Sequence, residues 1–193
     1  TLGIARLMGA EALGTIGYRL GLLGLMGIVL DLGFAQAHRK RVSESDQDPA
    51  PLVGTFLLIK GLLAVVFLAL VVVLPWAWAQ LGQVLLASPQ ERQAYYILAV
   101  FYVVHSLATV LLYTFEGRLE TARETVPDVG GSLLSFLAKA VVAFMRLGTV
   151  ALSGAYLVEP VVRMFLAGLL FRGDSPFPSR RISSLSSSAS APP

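Results

Sequence analysis

Cysteine is absent from the 193 residues, which excludes disulfides, thiolate nucleophiles and thiolate-bound metals while leaving the redox compartment open. Charge is scarce: 14% of the chain is charged, where a soluble domain carries about 25%. There are two histidines, His38 and His105, and they fall on different elements, so no zinc-type ligand spacing exists. No phosphate-binding glycine loop and no nucleophile-elbow serine occurs. The serines cluster in 183–188, a segment that offers no fixed base. The acids of 116–128 alternate with arginines and read as a solvated face. No basic face interleaved with aromatics is present, which excludes a nucleic-acid partner. These absences predict a protein that is not an enzyme and uses no metal or other cofactor.

What remains is apolar. Hydrophobic residues make up 55% of the chain and the mean hydropathy is +0.72. They are gathered into tracts near the roughly 20 residues that cross a bilayer as a helix. The expected fold is all-α: a polytopic transmembrane helix bundle of about five full spans plus the end of an earlier helix. The spans are placed at 13–37, 52–78, 94–115, 131–157 and 158–171, the last one short. Residues 1–12 read as the end of a truncated first helix and an outer loop, without a cleavable signal pattern. Pro75, Trp76 and Trp78 close the second span, and Tyr95, Tyr96 and Tyr113 bracket the third, as aromatics do at headgroup level. Pro160 reads as a first-turn residue of the fifth span. Residues 172–193 are rich in Ser and Pro and are expected to form a disordered tail.

Five alternating spans put Arg39, Lys40, Arg41, Arg118, Arg123, Arg172, Arg180 and Arg181 on one side, and Arg6 and Arg92 on the other. Short basic loops stay cytoplasmic, so this bias predicts a multi-pass protein with a cytoplasmic C-terminal tail.

Four cations fall inside the assigned spans: Arg19, Lys60, Lys139 and Arg146. A charge at a helix centre costs about 2.5–3.5 kcal/mol on insertion scales, so each must snorkel, pair or line a wet cavity. Arg19 and Lys60 lie near enough to span ends to snorkel. Lys139 and Arg146 are two turns apart on one face, which suits an internal path for an anionic head group. Asp31 reads as a cap, a boundary or a partner for Arg39. His105 reads as a packing residue or a proton relay, and Glu159 with Arg163 as a local ion pair. Gly17, Gly21 and Gly24, followed by Gly27, form a small-residue stripe that predicts helix packing or a moving interface.

The residues of the first span carry a resemblance. Gly14-Thr15-Ile16-Gly17-Tyr18 is followed by an apolar run. Then comes Asp31-Leu32-Gly33-Phe34-Ala35-Gln36-Ala37 and a basic loop with Arg39, Arg41 and Glu44. This resembles the N-terminal part of the polysaccharide biosynthesis proteins. These are lipid-linked oligosaccharide flippases of the multidrug/oligosaccharidyl-lipid/polysaccharide exporter superfamily. Arg6 to Gly14 is similar to the loop after their first helix, and Phe115 to Ala122 to the junction before their fifth. The resemblance implies 12 to 14 helices in two lobes around a cavity, with this chain as about one lobe. It implies a plasma-membrane transporter moving a polyprenyl-diphosphate-linked oligosaccharide or polysaccharide precursor. Membrane lipids, that glycan and a second transporter lobe are the implied partners. Arg19, Lys139 and Arg146, with Lys60 behind them, are the expected substrate-binding residues. Asp31, Gly33, Arg39, Arg41 and Glu44 carry the structural motif. The alternatives are a drug or small-solute exporter of the same superfamily, or a non-transporting truncated membrane protein.

Overall fold

The computed structural model describes residues 10–45, 50–82 and 84–172. The expectations for 1–9 and for the tail from 173 onward lie outside the described residues. Within them the chain is all-α. Helix α1 (Ala10–Gly27) tightens into a 3-10 turn (Ile28–Leu30) and, after a break, continues as α2 (Phe34–Glu44). Helices α3 (Ala50–Gln80), α4 (Pro89–Gly117), α5 (Thr121–Phe144) and α6 (Gly148–Arg172) follow. Helices α3 to α6 are each long and apolar enough to cross a membrane. The α1–α2 pair, bent by 46°, makes a fifth span if counted as one.

Helix α3 shows why the bundle needs lipid. It is apolar around its whole circumference and buries one stripe only: Val53, Phe56, Lys60, Ala64, Phe67 and Val71. That spacing of three and four residues is one helix face. The opposite face leaves Leu58 and Leu62 each about 70% exposed. An apolar surface of that extent belongs against acyl chains, not water. Pro75 lies inside α3. A proline has no N–H, so the Val71 carbonyl one turn earlier loses its helical donor. The fully buried Tyr95 donates its hydroxyl to that carbonyl at 3.1 Å.

Helix α4 is the centre of the bundle and packs on every other helix. Ser88 starts it: its hydroxyl accepts from the Glu91 N–H at 3.1 Å, while the Glu91 carboxylate accepts from the Ala87 N–H at 3.0 Å. This reciprocal cap satisfies two free donors and fixes Glu91 at one end of the bundle. Ile16, Leu23, Leu30, Phe67, Val71, Leu98 and Leu152 form the main core around Tyr95.

Three boundaries differ from the sequence reading. The first span, expected to run unbroken over 13–37, breaks at Asp31–Gly33, where Leu32 has φ 44° and Gly33 φ 81°. The last two spans, expected at 131–157 and 158–171, are instead α5 and α6, separated at Met145–Leu147. Arg146 has φ 53° there and Gly148 φ 85°; glycine takes this left-handed geometry without steric cost. Pro160 therefore sits in the middle of α6, not at a helix start. The polar segment 116–128, read as a solvated face between two spans, contains the α4–α5 turn and the first turns of α5, where Pro127 is buried.

Candidate functional site: a polar cavity at a broken helix

The break between α1 and α2 frees backbone groups within a span, where no water is available to satisfy them. The structure supplies a cation. Lys60, 2% exposed, donates to the Leu30 carbonyl at 2.8 Å and to the Asp31 carboxylate at 2.9 Å. The Ser106 hydroxyl also lies 3.5 Å from the Leu30 carbonyl. Asp31 is half-exposed and opens onto a cavity of about 310 Å3 between α1, α3 and α4. Asp31, Lys60, His105, Ser106, Thr109 and Tyr113 give this cavity its polar wall. Tyr102 closes it on the α1 side. Its ring passes over Gly24 and Gly27, and its hydroxyl donates to the Leu20 carbonyl at 2.8 Å. A Cβ on Gly24 would lie 2.9 Å from that hydroxyl.

His105 stacks on Phe101 with centroids 5.6 Å apart. Its Nδ1 is buried and has no hydrogen-bond partner among the described residues. A second charged group lies between α5 and α6: Arg163 pairs with Asp128 at 2.6 Å and with Glu159 at 2.9 Å. Gly131 makes room for it, because a Cβ there would lie 2.8 Å from Arg163 Cγ and 2.9 Å from the Glu159 carbonyl oxygen. Toward the connector end of α2, His38 Nε2 meets the Thr114 hydroxyl at 2.9 Å and Arg39 pairs with Glu116.

The four cations singled out from sequence do not converge. Lys60 is at the cavity. Arg19 is buried in the middle of α1, twelve residues before Asp31, and pairs with Glu91 at 3.3 Å. Lys139 lies over the Tyr156 ring, 3.9 Å from its centroid, a cation–π contact. Arg146 is exposed in the α5–α6 turn, so the two-turn stripe with Lys139 does not exist. Of the motif residues, Asp31 and Gly33 make the break, Arg39 joins α2 to α4, and Arg41 and Glu44 are exposed. The glycine stripe divides. Gly24 and Gly27 are met by Tyr102, whereas a side chain at Gly17 or Gly21 would meet nothing among the described residues.

The Asp31–Lys60 pair was missed in the sequence, although both residues lie at similar depth on either side of the 46–49 connector. Ser106 and Thr109 carried no signal beyond their spacing on one face of α4, and Tyr113 was read only as a headgroup-level aromatic. Asp128 was missed as the second partner of Arg163, because its segment was assigned to a loop.

The sequence profile described as polysaccharide biosynthesis protein matches residues 4–186, nearly the whole chain. The chain belongs to the polysaccharide biosynthesis protein family. Neither the curated proteins nor the solved structures gave a match. It is thus a multi-pass member of a membrane family associated with transport rather than catalysis. Among the described residues, no three His, Cys, Asp or Glu side chains are grouped to hold a metal ion.

Proposed function

We propose that this polysaccharide biosynthesis protein is one lobe of a flippase. It moves a polyprenyl-diphosphate-linked oligosaccharide across the plasma membrane. The observation that carries this reading is the cavity at the α1–α2 break. Irregular backbone at membrane depth persists where it is buried in protein or lines a wet cavity, and broken helices form substrate sites in transporters. Here the polar wall places an ammonium, a carboxylate and several hydroxyls beside unwound backbone. The lipid tail stays in the bilayer while the diphosphate competes with Asp31 for Lys60. Arg19 and Lys139 offer further positive charge toward the far end of the bundle, each held by one partner it can exchange.

The basic connectors support a cytoplasmic tail. Arg146, once placed in a turn, joins Arg92 on the outer side, and Arg39, Lys40, Arg41, Arg118, Arg123 and Arg172 lie opposite.

Leaflet exchange of a fluorescent lipid-linked oligosaccharide in liposomes tests the reading, with Lys60→Met and Arg146→Ala beside the parent. The expected result is exchange above empty liposomes. Loss of a charge-assisted contact should lower it about tenfold or more in Lys60→Met, with no change in Arg146→Ala. Parent exchange no faster than empty liposomes rejects flipping by this chain.

A further inference from the structure

Away from the break, α2 and α3 leave a groove of about 340 Å3 between them. Its floor is the stacked pair His38 and Phe56, both buried, with ring centroids 4.2 Å apart. Helix α2 runs from the break toward the 46–49 connector and α3 runs back from it. Phe34 and Ile59 therefore lie at the deep end, and Lys40, Arg41 and Glu44 at the connector end. The groove is apolar inside and charged at its mouth, the polarity of an amphiphile lying along it. The mouth groups are available. Arg41 is exposed with no ion-pair partner among the described residues. Lys40 and Glu44 meet only at 3.8 Å, with side chains 76% and 64% exposed. An exposed pair of that length stabilises the fold little and is easily exchanged.

We infer that this groove binds a phospholipid whose head group carries a primary ammonium beside its phosphodiester. The acyl chain lies along Phe34 and Ile59, Lys40 and Arg41 take the phosphate oxygens, and Glu44 accepts from the ammonium. The carboxylate at the mouth argues against a purely anionic head group. Lys40 and Arg41 stand there beside Glu44, so a phosphate with no ammonium next to it would leave the Glu44 carboxylate facing like charge. A quaternary ammonium has no N–H to give Glu44, and among the described residues no aromatic ring stands at the mouth to replace it. A head group with both charges matches a mouth with both charges.

The test is lipid retention by the purified chain, read by native mass spectrometry. Phosphatidylethanolamine, phosphatidylcholine and phosphatidylglycerol of matched acyl chains are compared. The parent is expected to retain the ethanolamine lipid about threefold or more over each of the other two, the effect of one charge-assisted contact at an exposed site. Glu44→Gln should erase the preference over phosphatidylcholine, and Glu44→Asp should restore part of it. Lys40→Ala with Arg41→Ala should lower retention of all three lipids. These side chains are exposed, so helical content should be unchanged. Equal retention of the three lipids by the parent overturns the inference, as does a preference for phosphatidylglycerol or a preference that survives Glu44→Gln. The parent comparison decides the matter even if a variant fails to fold.

Discussion

Replacing Lys60 tests whether the broken helix depends on a cation for its stability. In Lys60→Met the side-chain volume is nearly kept, but the Leu30 carbonyl loses its ammonium donor. A buried carbonyl left unsatisfied costs about 1–3 kcal/mol. Asp31 is half-exposed, so its lost ion pair adds at most about 1 kcal/mol. The expected total is about 1–4 kcal/mol. Asp31→Asn works from the other side. Breaking a buried pair can cost about 3–5 kcal/mol, but Lys60 keeps Leu30 and gains an amide oxygen, which brings the cost to about 1–3 kcal/mol. The double variant decides between a coupled pair and two independent sites. With Lys60 gone, Asp31→Asn has nothing left to disturb, so the double variant should match Lys60→Met alone. The coupling energy is then about the whole cost of Asp31→Asn, on the order of 1–3 kcal/mol. Unfolding in mixed micelles by added dodecyl sulfate, followed by far-ultraviolet circular dichroism, reads all four proteins. Additive single effects would refute the reasoning, because they would mean that Lys60 and Asp31 do not share one site.

Tyr95→Phe removes the hydroxyl that satisfies Val71 and should destabilise by about 1–3 kcal/mol, whereas in a Pro75→Ala background, where the helix regains its own N–H, the same change should cost under about 1 kcal/mol; the same micelle titration checks both. Arg146→Gly should stabilise by up to about 1 kcal/mol, since glycine relieves the left-handed turn geometry and the exposed guanidinium holds no buried charge, and a thermal midpoint lowered by several degrees would count against that placement.

The bundle's membrane character was legible because it follows from composition alone. The long apolar tract of α3 has no water-soluble alternative, and the helix Ala50–Gln80 contains it. The α5–α6 boundary was not legible in the same way. Glu159 and Pro160 look like a helix start, since an acid and a proline suit a first turn. Their place in mid-helix depends on Arg163 and Asp128, which pair only after α5 and α6 have packed. The local sign was Gly148, whose left-handed φ marks the turn, but one glycine among many in an apolar chain is a weak mark. The break at Asp31-Leu32-Gly33 had the same character. Its residues suit an interruption, yet the carbonyl it frees is satisfied by Lys60, thirty residues along the chain. Arg146 was assigned to a membrane interior because a misplaced boundary put it there. The cations were visible in sequence; their partners depended on register between helices, which periodicity within one helix does not encode.

The Asp31–Lys60 contact joins two segments that are consecutive in the chain. An aspartate or a lysine entering hydrocarbon by itself meets a barrier of about 2.5–3.5 kcal/mol on insertion scales. If the α1–α2 pair and α3 partition together as a hairpin, opposite charges enter at the same depth and largely cancel that barrier for each other. The same contact that steadies the finished bundle therefore favours release of these two segments from the translocation machinery as one unit. A longer connector between Ser45 and Ala50 would weaken that concerted entry before it altered the finished fold.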